Sequence, residues 1–220
     1  MSGIADLVAQ IERDPRKVAR YVEANARRGD PADVLATMDR YAREEQFLMN
    51  IGPDKGPIVQ ELFAGLAPDA RVLELGAYCG YSAVLFASTL GPEGRVVSLE
   101  VGEESVEAAR ANVAHAGLAD RVEFILGDSG ESIPNLDGPF DLVFLDHWKD
   151  LYKRDLQAIE ARGLLKPGSI VVADNVGPHF NPTEYLEYVR GCGHYECEHR
   201  ESTIEYSDDA DAVEISVYRP

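Results

Sequence analysis

Two apolar runs end in residues that could hold a metal. One closes as Leu145-Asp146-His147-Trp148-Lys149-Asp150 and the other as Ala173-Asp174-Asn175. If both runs are parallel strands, their acids emerge at the same rim of the sheet. Two carboxylates and an amide oxygen are hard ligands, the set that suits Mg²⁺, whose remaining octahedral positions go to water or substrate oxygens. Zinc would call for converging His or Cys ligands, and only His147 is close by in sequence. Each acid alone reads as well as a helix cap or a solvated loop residue. The pair, with Asn175 following, points to Asp146, Asp174 and Asn175 as one metal set. Lys149 lies three residues beyond Asp146, and a lysine beside a divalent cation has its charged form disfavoured, which makes it a candidate base.

A second constellation lies upstream. Val72-Leu73-Glu74-Leu75 leads into Gly76-Ala77-Tyr78-Cys79-Gly80 and then a helical pattern, and the next apolar run ends in Glu100. Glycines at such a turn let a ligand approach the backbone, and an acid at that offset can accept ribose hydroxyls. The G-x-x-x-G spacing, with bulky Tyr78 in its middle, is not the dinucleotide fingerprint, so an adenosine ligand without pyrophosphate fits better. Glu74 agrees with this, since a carboxylate there repels phosphate and attracts a sulfonium or ammonium cation. Tight strand–helix packing would explain the glycines but not Glu100. A third run ends in Gly127-Asp128-Ser129, which could bond an adenine edge and reads equally well as a helix N-cap.

These segments must be held by elements whose pattern is legible. From Arg71 onward, short apolar runs at Val72–Leu75, Arg95–Leu99, Val122–Leu126, Phe140–Leu145 and Ser169–Ala173 alternate with helical stretches at Tyr81–Leu90, Glu103–His115, Glu131–Leu136 and Tyr152–Gly163. That alternation predicts a doubly wound, Rossmann-like α/β sheet, mostly parallel. A further helix over Thr183–Val189 and β-like stretches at Tyr195–Tyr206 and Ala212–Tyr218 follow, with Ser207–Asp211 as the turn of a C-terminal antiparallel hairpin. Ahead of the sheet, helical spacing at Ile4, Leu7, Val8 and Ile11, then at Val18, Tyr21 and Val22, predicts two helices broken near Gly29-Asp30-Pro31, and a third is expected over Gly56–Leu66. We therefore expect one domain over residues 1–220, with a helical cap at 1–54 and an α/β core at 55–220.

Composition narrows the partners. The 220 residues carry 39 acidic against 21 basic side chains, a net charge of −18 that repels nucleic-acid phosphates and anionic lipid. The longest apolar runs fall far short of the roughly 18 residues that a membrane span needs. Cys79, Cys192 and Cys197 form no metal-ligand pattern, and the N-terminus MSGIADLVAQ has no basic, apolar leader, so a reducing cytoplasm is the expected setting.

Five segments together carry a family resemblance. They are Met49-Asn50-Ile51-Gly52, the run from Glu74 to Val84, Val143 to Asp150, Ala173-Asp174-Asn175-Val176 and Glu205-Tyr206. In this order, across nearly the whole chain, they resemble the catechol O-methyltransferase family. The glycine-rich segment alone would indicate only a methyltransferase, and the Asp-His-Trp-Lys-Asp run narrows it. The resemblance implies S-adenosylmethionine as methyl donor, Mg²⁺ as cofactor and a catechol as small-molecule acceptor. It implies that Glu100 holds the ribose hydroxyls and that Ser129 and Trp148 surround the adenine, with His147 nearby. Glu74, Gly76, Tyr78, Tyr81, Ser82 and Asp146 would border the donor, and Met49 and Ile51 would close that pocket from the cap. Asp146, Asp174 and Asn175 would bind the metal and Lys149 would act as base. Glu205 would accept a hydrogen bond from the second hydroxyl, and Phe47, Lys149, Asn175 and Glu205 would face the acceptor. Phe47 replaces a tryptophan of the mammalian members, and the loop from Gly177 to Pro182 departs from theirs, so acceptor range and choice of oxygen are the properties these changes bear on.

Two other readings compete. A non-catalytic S-adenosylmethionine-binding protein has no need of Asp146, Lys149, Asp174, Asn175 and Glu205 together. An NAD-dependent dehydrogenase is disfavoured by Tyr78 and Glu74. The spacing leaves both a monomer and a homodimer open.

Overall fold

The structure is a computed structural model and describes residues 14–220. The helical spacing at Ile4, Leu7, Val8 and Ile11 lies outside the described residues. Helices α1 (Pro15–Asn25) and α2 (Pro31–Glu44) each start with an aspartate ahead of a proline. The Asp14 and Asp30 side chains accept the Arg16 and Asp33 backbone N–H groups, while each proline fills a first-turn position whose N–H has no helical partner. Val18, Val22, Val34 and Met38 form their buried faces. Helix α3 runs over Gly52–Phe63, a turn earlier than its apolar spacing predicts, because Pro53 is tolerated in the first turn. The earlier start brings Lys55 into the helix.

The remaining elements are β1 (Arg71–Leu75), α4 (Tyr81–Thr89), β2 (Arg95–Glu100), α5 (Glu103–His115), β3 (Val122–Leu126), the single turn α6 (Ser129–Ser132), β4 (Phe140–Leu145), α7 (Tyr152–Ala161), β5 (Leu165–Ala173), α8 (Thr183–Gly191), β6 (Tyr195–Thr203) and β7 (Ala210–Tyr218). They form a seven-stranded sheet in the order β3-β2-β1-β4-β5-β7-β6. The first five strands are parallel, β7 runs antiparallel to β5, and β6 runs antiparallel to β7. This is the Rossmann-like, doubly wound α/β sheet with a C-terminal hairpin that the alternation of patterns predicts.

Apolar residues fill both faces of the central strands because helices cover both. Val72, Phe144 and Val172 join one core cluster, and Leu73, Val143 and Val171 join the other. Burying each such side chain contributes roughly 1.5–3 kcal/mol. Glu74 shares the parity of Val72 and so points under the helical layer, where its side chain is fully buried.

The hairpin departs from the expected boundaries. Strand β6 stops at Thr203 rather than Tyr206, and residues 204–209 make a broad turn in which the Ile204 N–H donates to the Asp209 carbonyl at 2.8 Å and Tyr206 takes φ +57°. An unbroken strand would leave Glu205 and Tyr206 on opposite faces of the sheet. The turn instead buries Glu205 and brings the Tyr206 hydroxyl within hydrogen-bond distance of the Asp39 carboxylate (2.9 Å) and the Asn50 side chain (3.1 Å), which ties the hairpin to the N-terminal helices.

Candidate functional site

Backbone bonds continue past the strands and fix the rim. The Gly76 N–H donates to the Leu99 carbonyl at 2.9 Å, that of Asp146 to Leu75 at 2.9 Å, and that of Asp174 to Leu145 at 3.0 Å. The first residue after β1, β4 and β5 is thus still held in sheet register. A cavity of about 440 Å³ opens beyond the ends of β1, β2 and β4, the place where the strand order reverses and where α/β sheets take their ligands.

The cavity brings together ten residues of the donor set expected from sequence: Met49, Gly76, Tyr78, Tyr81, Ser82, Glu100, Ser129, Asp146, His147 and Trp148. Lys149 and Phe180 line it as well. Trp148 stands on the lip with 74 % of its surface exposed. Glu100 is fixed by three backbone N–H groups, from Ala77 (3.1 Å), Tyr78 (2.9 Å) and Gly102 (2.8 Å). That places an ordered carboxylate at the cavity wall.

Ile51 and Glu74 do not line the cavity. Ile51 packs into the core ahead of α3, and Glu74 lies behind Ser82, where it accepts hydrogen bonds from Ser82 and Ser98. Burial pushes the Glu74 carboxyl up to about 7, beyond what those two hydroxyls offset, and the nearby Glu100 charge adds to the rise. Phe47 also lies off the cavity wall, edge-on to Tyr206 at 6.4 Å between ring centres.

Asp155 has no signal in the sequence and organises one end of the cavity. This fully buried carboxylate accepts from Ser129 Oγ (2.6 Å), His147 Nε2 (2.7 Å) and Arg154 Nε (2.7 Å). Burial raises its pKa, but those hydrogen bonds outweigh burial and hold it below the ordinary carboxylate range. Burial also lowers the His147 imidazole, against the pull of Asp155. Because a carboxylate only accepts, His147 Nε2 carries the proton and Nδ1 is left as a buried acceptor without a partner among the described residues.

The acidic rim lies beside this cavity. Lys149 Nζ is 3.2 Å from Asp146 Oδ1 and sits 5.2 Å from the Tyr152 ring centre and 5.8 Å from that of Phe180. Asp174, Asn175 and Glu205 are buried behind Asp146. Burial pushes Asp146 and Glu205 up to about 7 and also raises Asp174. The lysines pull all three down without cancelling burial and like-charge repulsion.

Two further members of this cluster escaped the sequence reading. Lys55 is fully buried and its Nζ contacts Asp174 Oδ1 (2.7 Å), Asp211 Oδ2 (2.8 Å) and Glu205 Oε1. Burial opposes its charge, and the three carboxylates outweigh burial and raise its pKa. Asp211 is held below the ordinary range, because Lys55 and Asn175 outweigh its burial. Lys55 and Asp211 lie 156 positions apart, so no local spacing could pair them.

The residues at the rim suit a hard divalent cation. Asp174 Oδ2 is buried with no partner among the described residues, and Asn175 commits its amide nitrogen to Asp211 at 2.8 Å, which leaves its carbonyl oxygen as the ligand end. Together with Asp146, that is an all-oxygen donor set.

Comparison with known proteins places these features in context. The family model described as O-methyltransferase matches residues 30–183. The chain is 39% identical over 209 residues to the catechol O-methyltransferase of Mus musculus, covering 93% of this chain and 78% of that one. It is 43% identical over 176 residues to the catechol O-methyltransferase of Sus scrofa, covering 78% and 94%. An O-methyltransferase from Streptomyces achromogenes, solved in complex with SAM, aligns with a TM-score of 0.73 at 25% identity, over 86% of this chain and 90% of that one.

Proposed function

The chain belongs to the O-methyltransferase family, and on that premise we propose that it transfers a methyl group from S-adenosylmethionine to one hydroxyl of a catechol-type small molecule, with Mg²⁺ as cofactor. The observation that carries this reading is the juxtaposition at the end of β4. Asp146 borders the cavity and belongs to the acidic rim, and Lys149 reaches it at 3.2 Å from the cavity side. A protein that only bound the donor would need the cavity but not the lysine.

The lining of the cavity supports the following division of labour. Glu100, with its backbone anchors, receives the ribose hydroxyls. Ser129, His147 and Trp148 enclose the adenine end, and Gly76, Tyr78, Tyr81 and Ser82 enclose the methionine end, with Met49 closing the pocket. Asp146, Asp174 and Asn175 hold the cation. Bound there, Mg²⁺ supplies Lewis-acid stabilisation of negative charge on the acceptor oxygen.

Lys149 takes the proton from the reacting hydroxyl. Glu205 Oε2, buried and without a partner among the described residues, accepts a hydrogen bond from the other hydroxyl. The acceptor oxygen then attacks the sulfonium methyl, forming the C–O bond as the C–S bond breaks and leaving S-adenosylhomocysteine. Neutralising a sulfonium and an oxyanion together is favoured in a site that excludes water. Alignment of the two reactants supplies several kcal/mol more.

A cytoplasmic setting belongs to the same proposal and is supported by three free thiols. Among the described residues no helix is long and apolar enough to cross a membrane. The deciding experiment measures methyl transfer from S-adenosylmethionine to 3,4-dihydroxybenzoic acid with Mg²⁺ or with EDTA, scoring both mono-methyl products. Transfer that needs the metal supports donor, cation and acceptor class at once. Donor binding without transfer to any vicinal diol would return the protein to the non-catalytic reading.

A further inference from the structure

Helix α3 delivers an ammonium group to the centre of the acidic rim. Asp174, Glu205 and Asp211 lie close enough that one cation could serve all three, and Lys55 Nζ occupies that point. Each contact engages one oxygen and leaves a defined remainder. Asp174 Oδ1 accepts from Lys55 and from the Asn175 N–H at 2.7 Å, and Oδ2 has no partner among the described residues. Glu205 Oε1 faces Lys55, and Oε2 has no partner among the described residues. Asp211 has neither oxygen to spare, since Oδ1 accepts from the Gly177 N–H at 3.0 Å and Oδ2 accepts from Lys55 and from Asn175 Nδ2, both at 2.8 Å.

We propose that Lys55, braced by Asp211, is the positioning residue of the divalent-cation site. It holds the inner oxygens of Asp174 and Glu205 and, through Asp211, turns Asn175 so that Asp174 Oδ2 and the Asn175 carbonyl oxygen face the cation beside Asp146. The inference rests on the metal reading given above. Charge agrees with it, because among the described residues the carboxylates of Asp146, Asp174, Glu205 and Asp211 outnumber the ammonium groups of Lys55 and Lys149 that contact them, a balance that favours a cation. A site that placed its metal among Asp174, Glu205 and Asp211 would have to expel a lysine that is sealed from solvent on every side.

The test measures Mn²⁺ affinity and the Mn²⁺ electron paramagnetic resonance spectrum of the whole protein, with S-adenosylmethionine affinity in metal-free buffer as a check on the fold. Lys55→Met should weaken Mn²⁺ binding about 10- to 100-fold, the usual effect of removing a partner that orients metal ligands, and should alter the spectrum. Lys55→Met leaves three buried carboxylates without their counter-ion, so a second variant guards against misfolding. Asp211→Asn removes a charge and almost no volume, and sets an N–H donor against either Gly177 or Lys55. It should weaken Mn²⁺ in the same direction. Wild-type affinity in Asp211→Asn, or tighter binding in Lys55→Met, would show that Lys55 only stands in for the ion and would overturn the inference. A wild-type protein that takes up no Mn²⁺ would overturn the metal reading itself, a distinct failure.

Discussion

His147 Nε2 meets Asp155 Oδ2 at 2.7 Å, and the same carboxylate oxygen takes the Ser129 hydroxyl at 2.6 Å. One buried acid therefore sets the orientation of two residues that line the cavity from different strand ends. Asp155→Ala should raise the dissociation constant for S-adenosylmethionine roughly tenfold, because a hydrogen bond to a charged group is worth about 1.5–3 kcal/mol and a factor of ten is about 1.4 kcal/mol. Turnover at saturating donor should change little. Calorimetric titration checks this, and an unchanged affinity would remove Asp155 from the donor site.

Lys149 lines the cavity and reaches Asp146 Oδ1 at 3.2 Å. Lys149→Ala should lower kcat by about 10²- to 10⁴-fold, the span typical of a lost general base, while donor affinity stays put. Lys149→Arg should not restore turnover, since a guanidinium keeps its protons. Full activity in the arginine variant would recast Lys149 as a fixed charge instead of a base.

The strand–helix alternation and the strand-end acids were legible because both are local. An apolar run followed by Asp146 or Asp174 states its own position, and the glycines and Glu100 sit on adjacent strands. What stayed hidden depends on distant pairing or on exact boundaries. Asp155 is an ordinary helix residue until α7 folds back under His147. Lys55 looks like a surface lysine until α3 starts a turn early and lays it against Asp211 from the other end of the chain. Glu74 illustrates a third limit. Its place just ahead of the glycine turn suggested a cavity residue, but the two-residue period of β1 sends it inward, where it accepts from Ser82.

That inward position makes Glu74 a pH-dependent burden on the ligand-free protein. Its carboxyl lies at about 7 in the folded chain against an ordinary 4.5, so between those values the folded protein holds a proton that the unfolded chain has released. Stability therefore falls as pH rises through that window, by an amount on the order of 3 kcal/mol when Glu74 is fully ionised. Glu74→Gln should raise the melting temperature at pH 8 and give little gain at pH 4.5. Equal effects at both pH values would mean that Glu74 does not titrate in this range.

Gly76 couples the donor turn to the metal rim. Its φ is +103°, and a Cβ built there would stand 2.6 Å from the Asp146 carbonyl oxygen and 2.9 Å from the carbonyl carbon, both backbone atoms. Gly76→Ala must displace the end of β4 or the turn after β1, so it should lower the melting temperature and weaken S-adenosylmethionine and Mn²⁺ binding together. Gly163 provides the control, with φ +67° and nothing within 4 Å of its added Cβ. Gly163→Ala carries the backbone strain alone, about 1–3 kcal/mol, and should leave both affinities at wild-type values. If Gly76→Ala lost stability to the same extent as Gly163→Ala and kept its Mn²⁺ affinity, the contact between the glycine turn and Asp146 would have no part in holding the metal site.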